Sequence, residues 1–391
     1  MFKMAACNRW RIAGPLELLV LQPTPFCNLD CTYCYLPDRD SKRRMSEATL
    51  SRVFHSVFSS GIVENGFTVV WHAGEPMVLP VAYYERAIEI AAAHNPDRLQ
   101  VRHSFQTNGV LIDDDWCEFF KRHHVNVGVS VDGPAFIHDR NRKTRKGGAT
   151  QHRVMEGIRK LQSHDVPFHV ISVLTGESLD YADELYDFYL DSRIREVAFN
   201  IEEIEGPHAA STLGVAGVED RFRRFIGRFF DLVARDDLVL SVREFDSMVP
   251  MILGGHSGDD FPPTQENSPG AILSVDCEGN FTTYSPELLG LKSSHYGDFA
   301  IGNLNMDTLA AALSSDKFRN MSSDIARGLS KCRATCEYYS LCGGGAPVNK
   351  YFENGTFDST ETMFCRLNRK VLIDVIVEKL QRPLGVTTPA A

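Results

Sequence analysis

The sequence predicts an α/β fold in which six parallel strands alternate with helices in an open, partial (β/α)6 barrel, followed by a cysteine-rich C-terminal domain. Three observations predict it. Between residues 16 and 206, short runs rich in Val, Ile and Phe alternate with longer amphipathic stretches. That alternation stops after Gly206. Four of the ten cysteines then gather between Cys332 and Cys365.

In chain order, the strand candidates are residues 16–22, 67–73, 101–108, 125–132, 168–174 and 197–203. Helix candidates fill 46–60, 80–94, 113–123, 151–164 and 178–192. Ser46 with Thr49, and the run Asp113, Asp114 and Asp115, are helix-start signals, because short polar side chains accept from the first free backbone N–H groups. Strands joined through helices run parallel with right-handed crossovers, and such sheets carry their chemistry in the loops after the strand ends. Past Gly206, residues 218–234 read as a helix and 254–270 as a Gly/Ser/Asp/Pro loop. Residues 272–274 and 280–284 flank Glu278 and Gly279 as a hairpin. From Lys331 the periodicity weakens, as expected where metal fixes the chain in place of a large apolar core. The expected units are an N-terminal extension (1–15), the barrel (16–206), a helical and loop connection (207–270), a cluster domain (271–380) and a tail (381–391).

Hydrophobic residues at 43% and charged residues at 24% fit a folded globular chain. The excess of 51 acidic over 41 basic residues, a net charge of -10, argues against nucleic acid or anionic lipid as a partner. No apolar run is long enough to span a membrane, and residues 1–21 lack a signal-peptide core. The chain therefore reads as cytoplasmic, where ten cysteines are metal ligands or reactive thiols before they are disulfides.

Cys27, Cys31 and Cys34 lie in one short loop after the first strand, with three and then two residues between them. A closed zinc site needs a fourth ligand, and none stands nearby. Three thiolates suit an iron–sulfur cube with one iron left open. This spacing, with Tyr33 just before the last cysteine, resembles the radical S-adenosylmethionine (SAM) superfamily. The resemblance implies SAM and a 4Fe–4S cluster as cofactors, and hydrogen abstraction by a 5′-deoxyadenosyl radical. Trp71-His72-Ala73-Gly74-Glu75-Pro76 resembles the family's Gly-Gly-Glu-Pro element, with Ala73 replacing a glycine. Gly74 would admit the SAM amino group and Glu75 would oppose its charge. Gln106 and Asn108 end the third strand, and Ser130 with Arg142 resembles the pair that holds the SAM carboxylate. His72 reads either as a hydrogen-bonded structural histidine or as a base.

Cys332, Cys336, Cys342 and Cys365 could close a zinc site. Their setting, through Gly343, Gly344, Gly345 and Ala346, resembles the SPASM domain of radical SAM enzymes acting on peptides, which implies an auxiliary 4Fe–4S cluster on these four residues. A second auxiliary cluster is not expected, because Ala346 and Tyr284 stand where that pattern has cysteines. Two clusters in all, one binding SAM and one auxiliary, are therefore expected. Cys7, Cys117 and Cys277 are left over, Cys117 as a buried helix residue.

Over nearly the whole chain the sequence resembles the maturases that build cyclophane crosslinks in ribosomally made peptides, including glycine-rich repeat precursors. The resemblance implies a carbon–carbon bond between a β-carbon and an aromatic ring, a precursor peptide with its leader as partner, and a flavodoxin- or ferredoxin-like electron donor. The ring proton needs a base, and Glu203, Glu205 and Glu287 are the candidates. Strand periodicity puts Glu203 and Glu205 on one face and Glu202 on the other. Only 26 residues precede Cys27, so a leader is expected to add as a strand near residues 206–269 or in the C-terminal domain. The alternatives are a formylglycine-type sulfatase maturase, a thioether-forming or epimerising maturase, and a non-catalytic zinc-stapled adaptor.

Overall fold

In a computed structural model the described residues are 14–254 and 264–381. The barrel strands are β1 (Leu18–Leu21), β2 (Gly66–Trp71), β3 (Gln100–Thr107), β4 (Asn126–Ser130), β5 (Phe168–Leu174) and β6 (Glu196–Ile201). Each lies within two residues of its expected start and end. Between them run α1 (Glu47–Ser59), α2 (Val81–Ala93), α3 (Asp114–His123), α4 (Ala135–Asn141), α5 (Gln151–Ser163) and α6 (Ala182–Asp191). The helix-start signals act as read: Ser46 accepts from Thr49 N–H and Asp113 from Trp116 N–H. The sequence reading missed α4, a helix of seven residues that is too short to show a period.

All six strands are parallel neighbours in chain order. The sheet stays open, ending at β7 (Ser241–Val242) beside β6. On its other side the expected hairpin, β8 (Ile272–Val275) and β9 (Asn280–Thr283), joins the barrel sheet, with β8 parallel to β1. Thus residues from beyond 271 complete the sheet edge next to the first strand.

Burial follows the strand period. In β2 the residues Phe67, Val69 and Trp71 point into the core. Trp71, Tyr84, Phe105, Trp116 and Phe119 form one edge-to-face aromatic cluster behind the sheet. α7 (Val218–Arg235) buries Phe222, Phe225 and Phe229, and Phe229 meets Phe199 of β6 at 5.0 Å between ring centres. α8 (Arg243–Gly254) follows β7. The C-terminal region is more helical than its weak periodicity suggested, with helices at Asp316–Thr335, Pro347–Asn354 and Leu372–Gln381. Tertiary packing overrides weak local signals there. Tyr284 is buried and donates to Ser322, so the position where the SPASM pattern has a cysteine is filled by packing.

Candidate functional site

The loop after β1 is held by its neighbours before any ligand is considered. Asp30 N–H donates to Lys143 C=O and Thr32 N–H to Asn141 C=O, while Arg145 donates to Cys27 C=O at 3.0 Å. Glu75 N–H donates to Phe26 C=O at 2.8 Å. Gly74 sits at φ +61°, and a Cβ there would stand 2.5 Å from Thr24 C=O. Only glycine permits that approach. Ala73 adopts φ +66°, an unusual conformation for a residue with a side chain.

Cys27, Cys31 and Cys34 face a cavity of about 730 Å³, together with Tyr33, Ala73, Gly74, Gln106, Asn108, Ser130 and Arg142. Burial pushes the Cys27 thiol up to about 12 and the Cys31 thiol up to about 11. Cys27 and Cys31 as thiolates therefore require strong positive charge from bound metal, as an iron–sulfur cluster supplies. Among the described residues no three His, Cys, Asp or Glu side chains converge on a single ion.

Ser130 accepts from Gln106 at 3.0 Å, which fixes its hydroxyl at the end of β4. Arg142 is only 7% exposed and donates through Nε to Asp132 at 3.0 Å. Burial alone would lower the guanidinium, but Asp132, Tyr33 and Cys31 outweigh it and keep Arg142 charged. Tyr33 also donates to Asp132. Asp132 thus positions two cavity residues, a role the motif reading did not assign.

Glu75 departs from its expected place. Its carboxylate is fully buried away from the cavity and accepts from Met77 N–H at 3.0 Å, Thr107 Oγ1 at 2.8 Å and Asn108 N–H at 2.8 Å. Burial pushes it up to about 7 despite those donors. This carboxylate ties the β2 loop to the end of β3, so Ala73 and Gly74 line the cavity, where the SAM amino group is expected, and Glu75 does not. His72 lines the cavity, stacks on Tyr35 at 6.5 Å between ring centres, and burial pushes it down to about 4. It is therefore neutral near pH 7.

Glu203, Glu205 and Glu287 meet in the same cavity, Glu203 and Glu205 in hydrogen-bond contact. Burial raises all three, with Glu203 pushed up to about 8; neighbouring carboxylates add to it, Glu287 on Glu203, Glu203 and Glu287 on Glu205, and Glu266 on Glu287. Glu202 also borders the cavity, but its carboxylate accepts from Thr212 N–H at 2.8 Å and His208 at 3.2 Å, which pins the following loop. Asn349 donates to Glu203, and Ser285 to Glu287.

The second cysteine group lies behind the far wall. Cys332, Cys336, Cys342 and Cys365 enclose a cavity of about 20 Å³. Gly343, Gly344 and Gly345 all have positive φ, turning the chain sharply after Cys342. Thr362 caps the turn at Cys365 N–H. Ala346, Asn349, Phe364 and Arg369 line both cavities and form one shared wall. Sequence reasoning missed Asn349, Lys350 and Arg369, because polar residues on a short helix carry no local signal of what they face. Cys277 lines neither cavity and Cys117 is buried in α3. Cys7 lies outside the described residues.

Comparison with known proteins matches residues 21–189 to the Radical SAM superfamily. An uncharacterised protein of Synechocystis sp. is 42% identical over 377 residues, covering 95% of this chain and 94% of that protein. The serine-type anaerobic sulfatase-maturating enzyme of Bacteroides thetaiotaomicron is 26% identical, covering 89% of this chain and 86% of the enzyme. Among solved structures, native anSMEcpe with bound AdoMet and Cp18Cys peptide superposes with a TM-score of 0.76 at 22% identity, covering 94% of this chain and 98% of that one. Streptococcus suis SuiB bound to precursor peptide SuiA gives a TM-score of 0.61 at 15% identity, covering 88% of this chain and 74% of that one. No helix among the described residues is long and apolar enough to cross a membrane.

Proposed function

The chain belongs to the radical SAM superfamily, and from that premise we propose that it matures a ribosomally made peptide by closing a carbon–carbon cyclophane crosslink. The observation that carries this reading is one cavity holding the three-cysteine loop, the Ser130–Arg142 pair and the Glu203–Glu205–Glu287 carboxyls, walled on its far side by the second cysteine group. Bound there, SAM and a 4Fe–4S cluster on Cys27, Cys31 and Cys34 supply a radical that takes one hydrogen atom from the substrate.

The chain's own residues do the rest. Arg142, held by Asp132, and Ser130, held by Gln106, would grip the SAM carboxylate, and Ala73 and Gly74 present backbone to its amino group. The β-carbon radical left on the peptide attacks an aromatic ring, and the ring then gives up one proton and one electron. Glu203 or Glu205, in its ionised form, takes the proton, and desolvation makes that carboxylate a stronger base than an exposed one. The electron leaves toward the shared wall. Cys332, Cys336, Cys342 and Cys365, gathered round one small cavity, would hold an auxiliary 4Fe–4S cluster beyond that wall, a reading supported by the resemblance of their spacing to the SPASM pattern. A flavodoxin- or ferredoxin-like donor supplies the first electron, which suits a reducing cytoplasm.

The formylglycine reading has the sulfatase-maturating relatives in its favour. Against it stands Ser285 after Tyr284, where that pattern places a carboxylic acid. The test is anaerobic turnover of the precursor peptide with SAM and a reductant, followed by tandem mass spectrometry. A product two hydrogens lighter, with fragmentation blocked between two residues and no reaction with a hydrazine, is expected. A hydrazine-reactive aldehyde would instead establish formylglycine formation, and an unchanged mass with an inverted stereocentre would establish epimerisation.

A further inference from the structure

The helix Pro347–Asn354 carries two buried polar side chains in succession, each 3% exposed. Asn349 faces the carboxyl group of Glu203. Lys350 faces the other way, its Nζ 3.3 Å from Cys332 Sγ. No described carboxylate pairs with Lys350, and the sulfur is its one hydrogen-bond partner among the described residues. An ammonium taken out of water without a carboxylate is costly unless other negative charge compensates it. Among the described residues, the negative charge at hand is that of the four thiolates around the second cysteine site.

From this placement we propose that Lys350 sets the reduction potential of an auxiliary iron–sulfur cluster held by Cys332, Cys336, Cys342 and Cys365. This rests on the reading of that site as iron–sulfur. A cluster ligated by four thiolates is anionic, and it becomes more so on gaining an electron. A fixed cation hydrogen-bonded to one ligand sulfur stabilises the reduced form more than the oxidised form, and so raises the potential. The lysine neither gains nor loses a proton in this role. One helix then serves both exits from the reaction cavity, with Asn349 on the proton-accepting carboxyl and Lys350 on the electron-accepting side.

The experiment is an anaerobic redox titration of the iron-loaded full chain, followed by electron paramagnetic resonance, with iron and zinc content measured on the same samples. The signal that changes on adding SAM belongs to the first site and serves as internal control. Lys350→Met is expected to keep its iron while the second signal needs a lower potential. The reduced-to-oxidised ratio should fall at least tenfold at fixed potential, about 59 mV for a one-electron couple. Lys350→Arg should restore most of the shift, and the neutral Lys350→Gln should not. An unchanged midpoint in Lys350→Met at full iron content overturns the proposal. So does Lys350→Gln with the wild-type midpoint, because packing and not charge would then be the role. Zinc in place of iron at the second site of the unaltered chain overturns the iron–sulfur reading itself, independently of Lys350.

Discussion

The loop bearing Cys27, Cys31 and Cys34 lies at the mouth of a sheet, half-buried beside a cavity of about 730 Å³. Cys332, Cys336, Cys342 and Cys365 instead enclose about 20 Å³ between helix ends and a glycine turn. The first group comes from eight consecutive residues and is fixed by backbone pairing to residues 141–145. The second is assembled from segments separated along the chain, and Lys350 donates to one of its sulfurs. A site that must admit a substrate and a cofactor is built on a loop at the strand ends, with one side open. On the proposed reading the second site exchanges only electrons and needs no opening, so helices can close round it.

Removing one ligand from each group tests that contrast most sharply. Cys31→Ser should abolish both SAM cleavage and peptide product, with iron falling to about half of the roughly eight per chain expected for two cubes. Cys336→Ser should lose a similar share of iron yet still release 5′-deoxyadenosine, while the crosslinked peptide disappears. Chromatography of the nucleoside alongside mass spectrometry of the peptide separates the two outcomes. Loss of SAM cleavage in Cys336→Ser as well would show that the groups are not functionally distinct.

Next in size is the buried pair behind the open site. Asp132→Ala leaves the Arg142 guanidinium without its carboxylate and Tyr33 without its acceptor. Breaking a buried pair in this way costs about 3–5 kcal/mol. Chemical denaturation should report that loss, and SAM affinity measured by equilibrium dialysis should fall with it. A variant of unaltered stability and affinity would refute the positioning role of Asp132.

An effect of similar size concerns Glu203, which faces the open cavity and accepts from Asn349 of the shared wall. Glu203, pushed up to about 8 from 4.5, holds a proton in the folded chain that the unfolded chain has already lost over that interval. Its contribution to stability therefore falls as pH rises from about 4.5 to about 8, and Glu203→Gln should flatten that slope in urea midpoints. As a base it must first lose its proton, so product formation should rise with pH toward about 8. Glu203→Gln should slow product by about 10²–10⁴-fold while SAM cleavage persists. A pH-independent crosslinking rate would remove Glu203 from the proton path.

The barrel was legible because its signals are local. Ser46 and Asp113 cap helices one residue later, and alternation in β2 marks its buried face. The same holds for Cys27, Cys31 and Cys34, which share one loop and so one neighbourhood. Glu75 shows where such reading stops. Its motif is local, but the three donors that turn its carboxylate away from the cavity come from the 3₁₀ turn that follows and from the end of β3. Asn349 and Lys350 could not be read at all, because their partners lie 146 and 18 residues away.

By itself the sequence determined the alternating fold, the strand ends and the two sets of thiols, since strand period, caps and ligand spacing act between residues close along the chain. Only the tertiary structure decided that β8 completes the sheet beside β1, that Glu203, Glu205 and Glu287 meet in one desolvated cavity, and that a single wall separates the two cysteine groups. Those outcomes depend on which surfaces exclude water together, and no single segment carries that information.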